Sequence, residues 1–181
     1  MVVGNLQKAD LLTSDSRYMA GVMQNLLKDR QVEIRIANFG INRFPHELKK
    51  AKLIYSNRLH KPLYRIDAII KAFSKFVILP EYADWKLCVA ATGDETERLR
   101  ALADSLHLGE SISFEGWVGK ERNLELFARS SVFVSIPESD ATSISLLEAM
   151  AHGCIPVVSD LPANRDWIQD GVNGIAVSDV N

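Results

Sequence analysis

The sequence predicts an α/β fold built on a doubly wound parallel sheet. From residue 52 onward, six apolar runs typical of strands alternate with helical patterns. That alternation is the sequence order of βαβ units, and therefore of a parallel sheet with helices on both faces. The 181 residues are also enough to bury one well-packed core. The commonest doubly wound order for six strands is 3-2-1-4-5-6, and we expect that order here.

The individual elements follow from where the apolar residues fall. The strand-like runs cover residues 53–56, 87–91, 112–115, 132–136, 155–158 and 175–177. The helical patterns between them cover residues 64–75, 95–106, 122–128, 143–152 and 164–168. Gly153 directly follows the fourth of these patterns, where helices commonly end on a left-handed residue.

The first part of the chain has a shorter pattern of its own. Residues 9–14 and 32–37 are predicted strands. Between them, Asp15 and Ser16 offer N-cap oxygens for a helix that runs to Leu27.

Composition excludes several classes of function. A formal charge of −2 gives no basic surface of the kind that nucleic acids require. A cluster of Lys49, Lys50 and Lys52 favours a solvated helix end over membrane contact, and no stretch reaches transmembrane length. Cys88 and Cys154 lie in apolar surroundings without metal-like spacing, and the N-terminus has no signal-peptide core. These features predict a cytoplasmic protein with reduced cysteines.

The expected strand order directs attention to two loops. Strands one and four are neighbours in that order, and ligands bind in the crevice outside their carboxyl ends. The loop after strand one carries Arg58 and Lys61, and the loop after strand four leads into the helix that begins at Ser143. Two cations and a helix N-terminus in one crevice predict a phosphate site.

Glu148 is unusual within that helix. It is the only acidic or basic side chain between Ala141 and Gly153, with His152 taken as neutral, on a helix that is apolar nearly all round. A buried Glu almost always has a partner. The residue is therefore either a structural acid paired at a helix edge or a carboxylate that binds a ligand's hydroxyl groups, and composition leaves both readings open.

The same region resembles a known family. Asp140 and Glu148 are eight residues apart, and Glu148 is followed by Ala-Met-Ala-x-Gly-x-x-Pro-Val-Val. Further matches are the runs Asp-Leu-Pro-Ala-Asn-Arg-Asp-Trp at 160–167 and Gly-Val-Asn-Gly at 171–174. This pattern resembles the group 1 glycosyltransferases, which are the retaining, nucleotide-sugar-dependent enzymes of family 4 with the two-domain GT-B architecture.

The resemblance implies a domain organisation. Residues 1–40 would be the tail end of the N-terminal acceptor domain and a linker. Residues 41–181 would be the Rossmann-like C-terminal domain that binds a nucleotide-diphospho-sugar, truncated at its C-terminus. The acceptor, whether a saccharide or a lipid-linked sugar, is not specified, and no cofactor beyond the donor is implied. The alternative is a non-catalytic nucleotide-sugar-binding fragment that needs a separate acceptor domain.

Site roles also follow from the resemblance. Arg58 and Lys61 would contact the donor's diphosphate during catalysis, Glu148 the ribose hydroxyls and Asp140 a sugar hydroxyl. The remaining donor-binding positions would be Ala141, Thr142, Ser143, Ile144 and Val118. No Asp-x-Asp and no zinc-like His spacing occurs, so no metal site is expected.

The chain departs from the family pattern at three places. Asn57 stands before Arg58 where the family has Gly, and Lys61 follows Arg58 by three residues where five is usual. Asp140-Ala141-Thr142-Ser143 replaces Glu-Gly-Phe-Gly. Arg58 could also be a surface ion-pair partner, and Asp140 a plain loop acid. The three tryptophans are predicted to pack in the core and not to stack on a ligand, at Trp85, Trp117 and Trp167.

Overall fold

The computed structural model describes residues 2–28, 30–43 and 48–178. Within these residues the strands form two parallel sheets, one of two strands and one of six. The small unit consists of α1 (Val2–Leu6), β1 (Leu11–Ser14), α2 (Arg17–Leu27) and β2 (Glu33–Ile36). As predicted, Ser16 caps α2, and its Oγ accepts a hydrogen bond from Met19 N at 3.2 Å.

The larger sheet begins after the linker. Its strands are β3 (Ala51–Ser56), β4 (Lys86–Ala90), β5 (Ile112–Gly116), β6 (Ser130–Ser135), β7 (Ile155–Ser159) and β8 (Ile175–Val177). Its helices are α3 (Ile66–Val77), α4 (Thr96–Ser105), α5 (Lys120–Arg129), α6 (Ile144–Ala151) and α7 (Pro162–Arg165). Short 3₁₀ turns occur at Pro62–Tyr64, Pro80–Tyr82 and Gly109–Ser111.

The strand order is β5-β4-β3-β6-β7-β8, which is 3-2-1-4-5-6 counted from β3. The predicted order and the predicted doubly wound α/β class are therefore confirmed, and the sheet is Rossmann-like, as expected of one half of a GT-B enzyme. Most element ends agree with the sequence prediction within two residues, although α7 ends at Arg165 and not at residue 168. Gly153 ends α6 in the left-handed region, with φ of +73°, as predicted.

The core lies on both faces of the sheet. On one face, Tyr55 of β3 is fully buried and meets the ring of Phe127 edge-on, with ring centroids 5.1 Å apart. Leu146 and Ala149 of α6 belong to the same cluster. On the other face, Ile70 of α3 lies in a cluster that also contains buried residues of β4 and α4. Two covered faces explain why the strands are so uniformly apolar.

The loop that leaves β3 is held by His60. Its buried ring lies 2.9 Å from Thr96 Oγ1 through Nδ1 and 3.2 Å from Ala90 O through Nε2. Burial lowers the pKa of His60. A Cβ at Gly93 would lie 2.4 Å from the His60 carbonyl oxygen, so this close approach needs glycine. The loop that carries Arg58 is thus fixed against the start of α4.

Two surface predictions are wrong. The lysine cluster is not a solvated helix end, because Lys50 Nζ is partly buried and donates to Phe127 O at 3.0 Å and to Ser130 O at 2.6 Å. This ammonium group stabilises carbonyl groups at the C-terminus of α5. Trp117 is not a packing residue, since its side chain is 75% exposed after β5. It follows β5, the edge strand of the sheet, whose polar residues face solvent. Sequence composition does not reveal which strand lies at the edge.

Other predictions agree with the structure. Trp85 meets Phe76 edge-on at 5.6 Å, and Trp167 packs against the core. Cys88 and Cys154 are buried and free. Of the helices described here, none is long and apolar enough to cross a bilayer. The expected truncation after Val180 and Asn181 lies outside the described residues.

Candidate functional site

The candidate site lies where β3 and β6 end side by side. The two strands pair in parallel, with Tyr55 opposite Phe133. Their carboxyl ends therefore open at the same edge, next to the N-terminus of α6. The loop after β3 and the loop after β6 meet at this edge, where the sequence predicted a ligand-binding crevice.

Arg58 joins the two loops. Its Nη2 lies 2.7 Å from Asp140 Oδ2, and its Nη1 donates to Ser143 Oγ at 2.9 Å. The guanidinium also lies over the ring of Tyr64, 4.6 Å from the ring centroid. The side chains of Arg58 and Asp140 are only 13% and 20% exposed. Arg58 is therefore a partly buried cation at the N-terminus of α6 and not an exposed surface ion-pair residue.

The loop before α6 has its own internal hydrogen bonds. Ser143 caps the helix, since its Oγ accepts from Leu146 N at 3.3 Å. Asp140 Oδ1 accepts from the amide of Ala141 at 3.0 Å. Thr142 is buried, and its hydroxyl has no partner among the described residues. Ile144 begins the helix with its side chain exposed. The residues that replace the family's glycines thus stabilise the loop and leave one buried hydroxyl available.

Lys61 does not join this cluster. It is exposed, and it immediately precedes the 3₁₀ turn Pro62–Tyr64. Within the described residues its side chain forms no hydrogen bond or ion pair. The structure thus brings one of the two predicted cations to the helix N-terminus, and the second remains at the loop surface.

Glu148 lies on α6 about one turn after its first residue, Ile144, and is half-buried. Asn123 Nδ2 of α5 lies 3.4 Å from its Oε2. Burial raises the pKa of the Glu148 carboxyl, and the hydrogen bond from Asn123 and the charge of Lys120 partly oppose that shift. Glu148 therefore pairs with an amide, and not with the arginine that a structural role would favour.

Asn123 and Tyr55 are site residues that sequence reasoning missed. The Tyr55 hydroxyl donates to Asn123 Oδ1 at 2.7 Å, and Asn57 Nδ2 donates to the same oxygen at 3.0 Å. One signal was available in the sequence, because a tyrosine in a buried strand needs a hydrogen-bond partner for its hydroxyl. The identity of that partner, 68 residues further along the chain, depends on tertiary packing.

The loop after β5 leads toward the same group of residues. Val118 is half-buried and packs against the core cluster that contains Tyr55 and Leu146. It precedes α5, whose first residues carry Lys120 and Asn123 toward Glu148. No group of three His, Cys, Asp or Glu side chains in the described part of the chain could hold a metal ion.

Comparison with known proteins gives the family of this chain. The family model described as glycosyl transferases group 1 matches residues 38–181. The chain belongs to the group 1 glycosyltransferase family. That family is one of transferases, as the residues around Glu148 predicted.

Individual group 1 relatives are distant in sequence. An uncharacterised glycosyltransferase of Methanocaldococcus jannaschii, MJ1069, is 29% identical over 187 residues, covering 96% of this chain and 46% of the relative. The N-acetyl-alpha-D-glucosaminyl L-malate synthase of Bacillus anthracis is 25% identical over 183 residues, covering 93% and 46%. The chain thus spans about half the length of these relatives.

Solved structures share the fold. The pneumococcal O-GlcNAc transferase GtfA, solved with UDP and GlcNAc, superposes with a TM-score of 0.85 at 19% identity, covering 97% of this chain and 35% of that one. Anabaena Alr3699/HepE, solved with UDP and glucose, gives a TM-score of 0.81 at 14% identity, covering 99% and 53%. At these identities the likeness concerns the fold alone.

Proposed function

We propose that this chain supplies the donor-binding half of a retaining glycosyltransferase of the GT-B type. Residues 41–181 would bind a nucleotide-diphospho-sugar. Residues 1–40 would be the end of the acceptor domain and the linker to it. The described part of this segment supports that division, because β1 and β2 pair with each other and form a sheet separate from the six strands.

The cluster of Arg58, Asp140 and Ser143 is the single observation that carries the proposal. A guanidinium and the N-terminus of α6 meet where two neighbouring parallel strands end. Such a helix end offers unpaired amides and a partial positive charge, and Arg matches phosphate oxygens with its paired N–H groups. We assign the diphosphate to Arg58 and the amides of residues 142–144, and Lys61 would contribute only if its flexible side chain turned toward them on donor binding.

The remaining roles follow from the position of the acids. Glu148 would accept hydrogen bonds from the ribose hydroxyls, and Asp140 would accept one from the sugar. Val118 would meet the base through its backbone. Because Arg58 and Asp140 bind each other, donor binding would divide the pair between the diphosphate and the sugar.

The chemistry proposed for these residues is stabilisation of the leaving nucleoside diphosphate. Fixed cations and helix dipoles stabilise charge that develops as the glycosidic bond breaks. We assign no metal and no cofactor to this step. The acceptor, either a saccharide or a lipid-linked sugar, would be bound by groups outside residues 41–181.

A second candidate is a non-catalytic nucleotide-sugar-binding module that works with a separate acceptor domain. The observation that favours it is coverage, since the chain spans 46% of two relatives that carry enzyme names. Incubation with nucleotide-sugars and analysis of products by mass spectrometry tests what the two candidates share, namely that these residues bind a donor without transferring its sugar. Binding without transfer to any acceptor supports the module or an incomplete enzyme, whereas transfer by these 181 residues excludes both.

The test of the site is a calorimetric titration with UDP, the nucleotide present in the two solved relatives. Glu148→Ala should weaken binding by roughly 1.5–3 kcal/mol, the range for hydrogen bonds to charged groups. Glu138→Ala is the matched control, since Glu138 lies in the loop before α6 and pairs with Arg65 at the surface. Loss of thermal stability in Glu148→Ala with unchanged affinity would show that the acid is structural.

A further inference from the structure

The side chain of Asn123 lies between the centre of the sheet and the carboxylate of Glu148. On one side, its Oδ1 accepts from the hydroxyl of the fully buried Tyr55 and from Asn57 Nδ2. On the other side, its Nδ2 lies 3.4 Å from Glu148 Oε2, a long hydrogen bond. A single amide thus links the core of the domain to the only acid on α6.

The donors and acceptors allow one orientation of this amide. A carboxylate can only accept hydrogen bonds, so the NH₂ group of Asn123 must face Glu148. The carbonyl oxygen then faces Tyr55, whose hydroxyl must donate to it. Because Tyr55 is held rigidly by the packed rings around it, the whole chain of contacts has little freedom to turn.

We propose that Asn123, oriented by Tyr55, is a positioning residue that holds Glu148 Oε2 so that Oε1 is presented to the vicinal hydroxyls of a nucleotide's ribose. The inference rests on the proposed function, which assigns the ribose to Glu148. Within the described residues, Oε1 accepts no hydrogen bond, so that oxygen remains available for a ligand.

The carboxylate needs such a donor because of its surroundings. Burial favours the neutral form of Glu148, and a neutral carboxyl accepts hydrogen bonds from a diol poorly. Asn123 and Lys120 act in the opposite direction and favour the charged form. The titratable groups around this network are Lys120 and Arg122 of α5, Tyr55 of β3, Cys88 of β4, Glu115 of β5, and His152, which follows α6 and whose Nδ1 lies 2.6 Å from the Glu148 carbonyl oxygen.

A simpler explanation is that Asn123 only satisfies the buried hydroxyl of Tyr55. Asn123→Asp separates the two explanations. The new carboxylate has the same shape and still accepts from Tyr55 and Asn57, but it removes the donor to Glu148 and places a second acid beside it. Two adjacent carboxyls share a proton and release it at a higher pH than either would alone.

The experiment compares the affinity for UDP with that for 2′,3′-dideoxy-UDP from about pH 5 to about pH 9, that is, upward from just above the ordinary carboxyl range. The ratio of the two affinities measures what the two ribose hydroxyls contribute to binding, because any repulsion between a new charge and the diphosphate acts on both ligands. For the native protein we expect a ratio of at least about ten that changes little with pH. For Asn123→Asp we expect a ratio near one at the basic end, where both carboxyls are charged and Glu148 has lost its donor, and a partial recovery toward the acidic end, where a shared proton joins the two oxygens.

Tyr55→Phe provides a second arm that does not touch Glu148. Without the hydroxyl, the amide of Asn123 loses its anchor, and the ratio should fall several-fold at every pH, a partial loss of one charge-assisted hydrogen bond. This arm keeps the inference testable if Asn123→Asp does not keep its native circular dichroism spectrum.

The outcomes distinguish the two proposals. A native ratio of one would overturn the assignment of the ribose to Glu148, and the positioning role with it. A high native ratio that neither Asn123→Asp nor Tyr55→Phe lowers would overturn the positioning role alone. A diol-selective, pH-dependent loss in Asn123→Asp supports it, since a purely structural change would alter both ligands equally.

Discussion

Arg58 and Asp140 form an ion pair of 2.7 Å although they lie 82 positions apart in the chain. Both side chains are largely removed from solvent, and Ser143 shares the guanidinium. In a partly buried pair, loss of one member leaves the other charge poorly compensated. A diphosphate and a sugar would replace these contacts.

Arg58→Ala should weaken the binding of UDP by about 10- to 100-fold and change the binding of uridine little, because only UDP carries the diphosphate charge. The difference should shrink as salt rises, since a partly exposed pair is screened within about 10 Å at 0.1 M salt. Isothermal titration of both ligands at two salt concentrations measures this. Arg35→Ala, which removes an exposed cation from the small sheet, is the control. An equal loss for both ligands would move the phosphate site elsewhere.

Asp140→Asn should separate the binding of UDP from that of a UDP-sugar. The variant frees Arg58 and removes a negative charge near the diphosphate, so UDP itself should bind several-fold more tightly. A UDP-sugar should gain less, because the amide no longer offers a charged acceptor to the sugar hydroxyl. Competition titrations with UDP and UDP-glucose give the two values. If the variant bound UDP itself more weakly than the native chain does, the result would show that Asp140 chiefly orients Arg58.

Glu148→Gln should stabilise the fold at neutral pH. Burial raises the pKa of this carboxyl, so the folded protein retains its proton at a higher pH than the unfolded chain does. The stability from that proton is complete below the ordinary carboxyl pKa of 4.5 and is lost as pH rises through the folded value. The variant's gain in melting temperature should therefore be present at pH 7 and fade toward pH 4. A gain in melting temperature that does not depend on pH would contradict the raised pKa of Glu148.

His60 should make stability depend on pH in the opposite sense. Its pKa is lowered by burial, so below the ordinary value of 6.5 the unfolded chain takes up a proton that the folded protein resists. Unfolding free energy should therefore fall as pH drops from 7 to 5. His60→Asn should flatten that part of the profile in urea titrations. The exposed His107, whose φ of +55° also suits Asn, is the matched control, and His107→Asn should leave the slope unchanged.

Gly93→Ala should destabilise the domain by about 1–3 kcal/mol or more, because the new methyl group would lie 2.4 Å from backbone atoms of His60. Gly21→Ala is the control, since Gly21 lies within α2 with open space around it. That variant should be neutral or stabilising by roughly 0.5–1 kcal/mol. Chemical denaturation of both proteins measures the difference. Equal stability of Gly93→Ala and the native chain would show that the loop after β3 can shift.

Sequence reasoning reached the strand order and the meeting of Arg58 with the helix N-terminus. Both follow from a periodic alternation that determines which strand ends are neighbours. It could not predict that Asn123 contacts Glu148 or that Lys50 lies against Ser130, since those contacts depend on side-chain reach between distant segments. It also placed Lys61 beside Arg58, because spacing along a loop does not reveal which way the backbone turns.

The pairing of β3 with β6 has a consequence for how the protein folds. β4 and β6 pair with opposite edges of β3. Arg58 and Asp140 can therefore meet only after the chain has passed through β4 and β5 and returned to place β6 beside β3. Closing a loop of this length is slow, because its chain entropy is lost before the contacts form. Nucleotide binding should therefore return late during refolding, after most helical signal has recovered. Donor added to the refolding buffer would capture molecules that have completed this last step and reduce the fraction that aggregates.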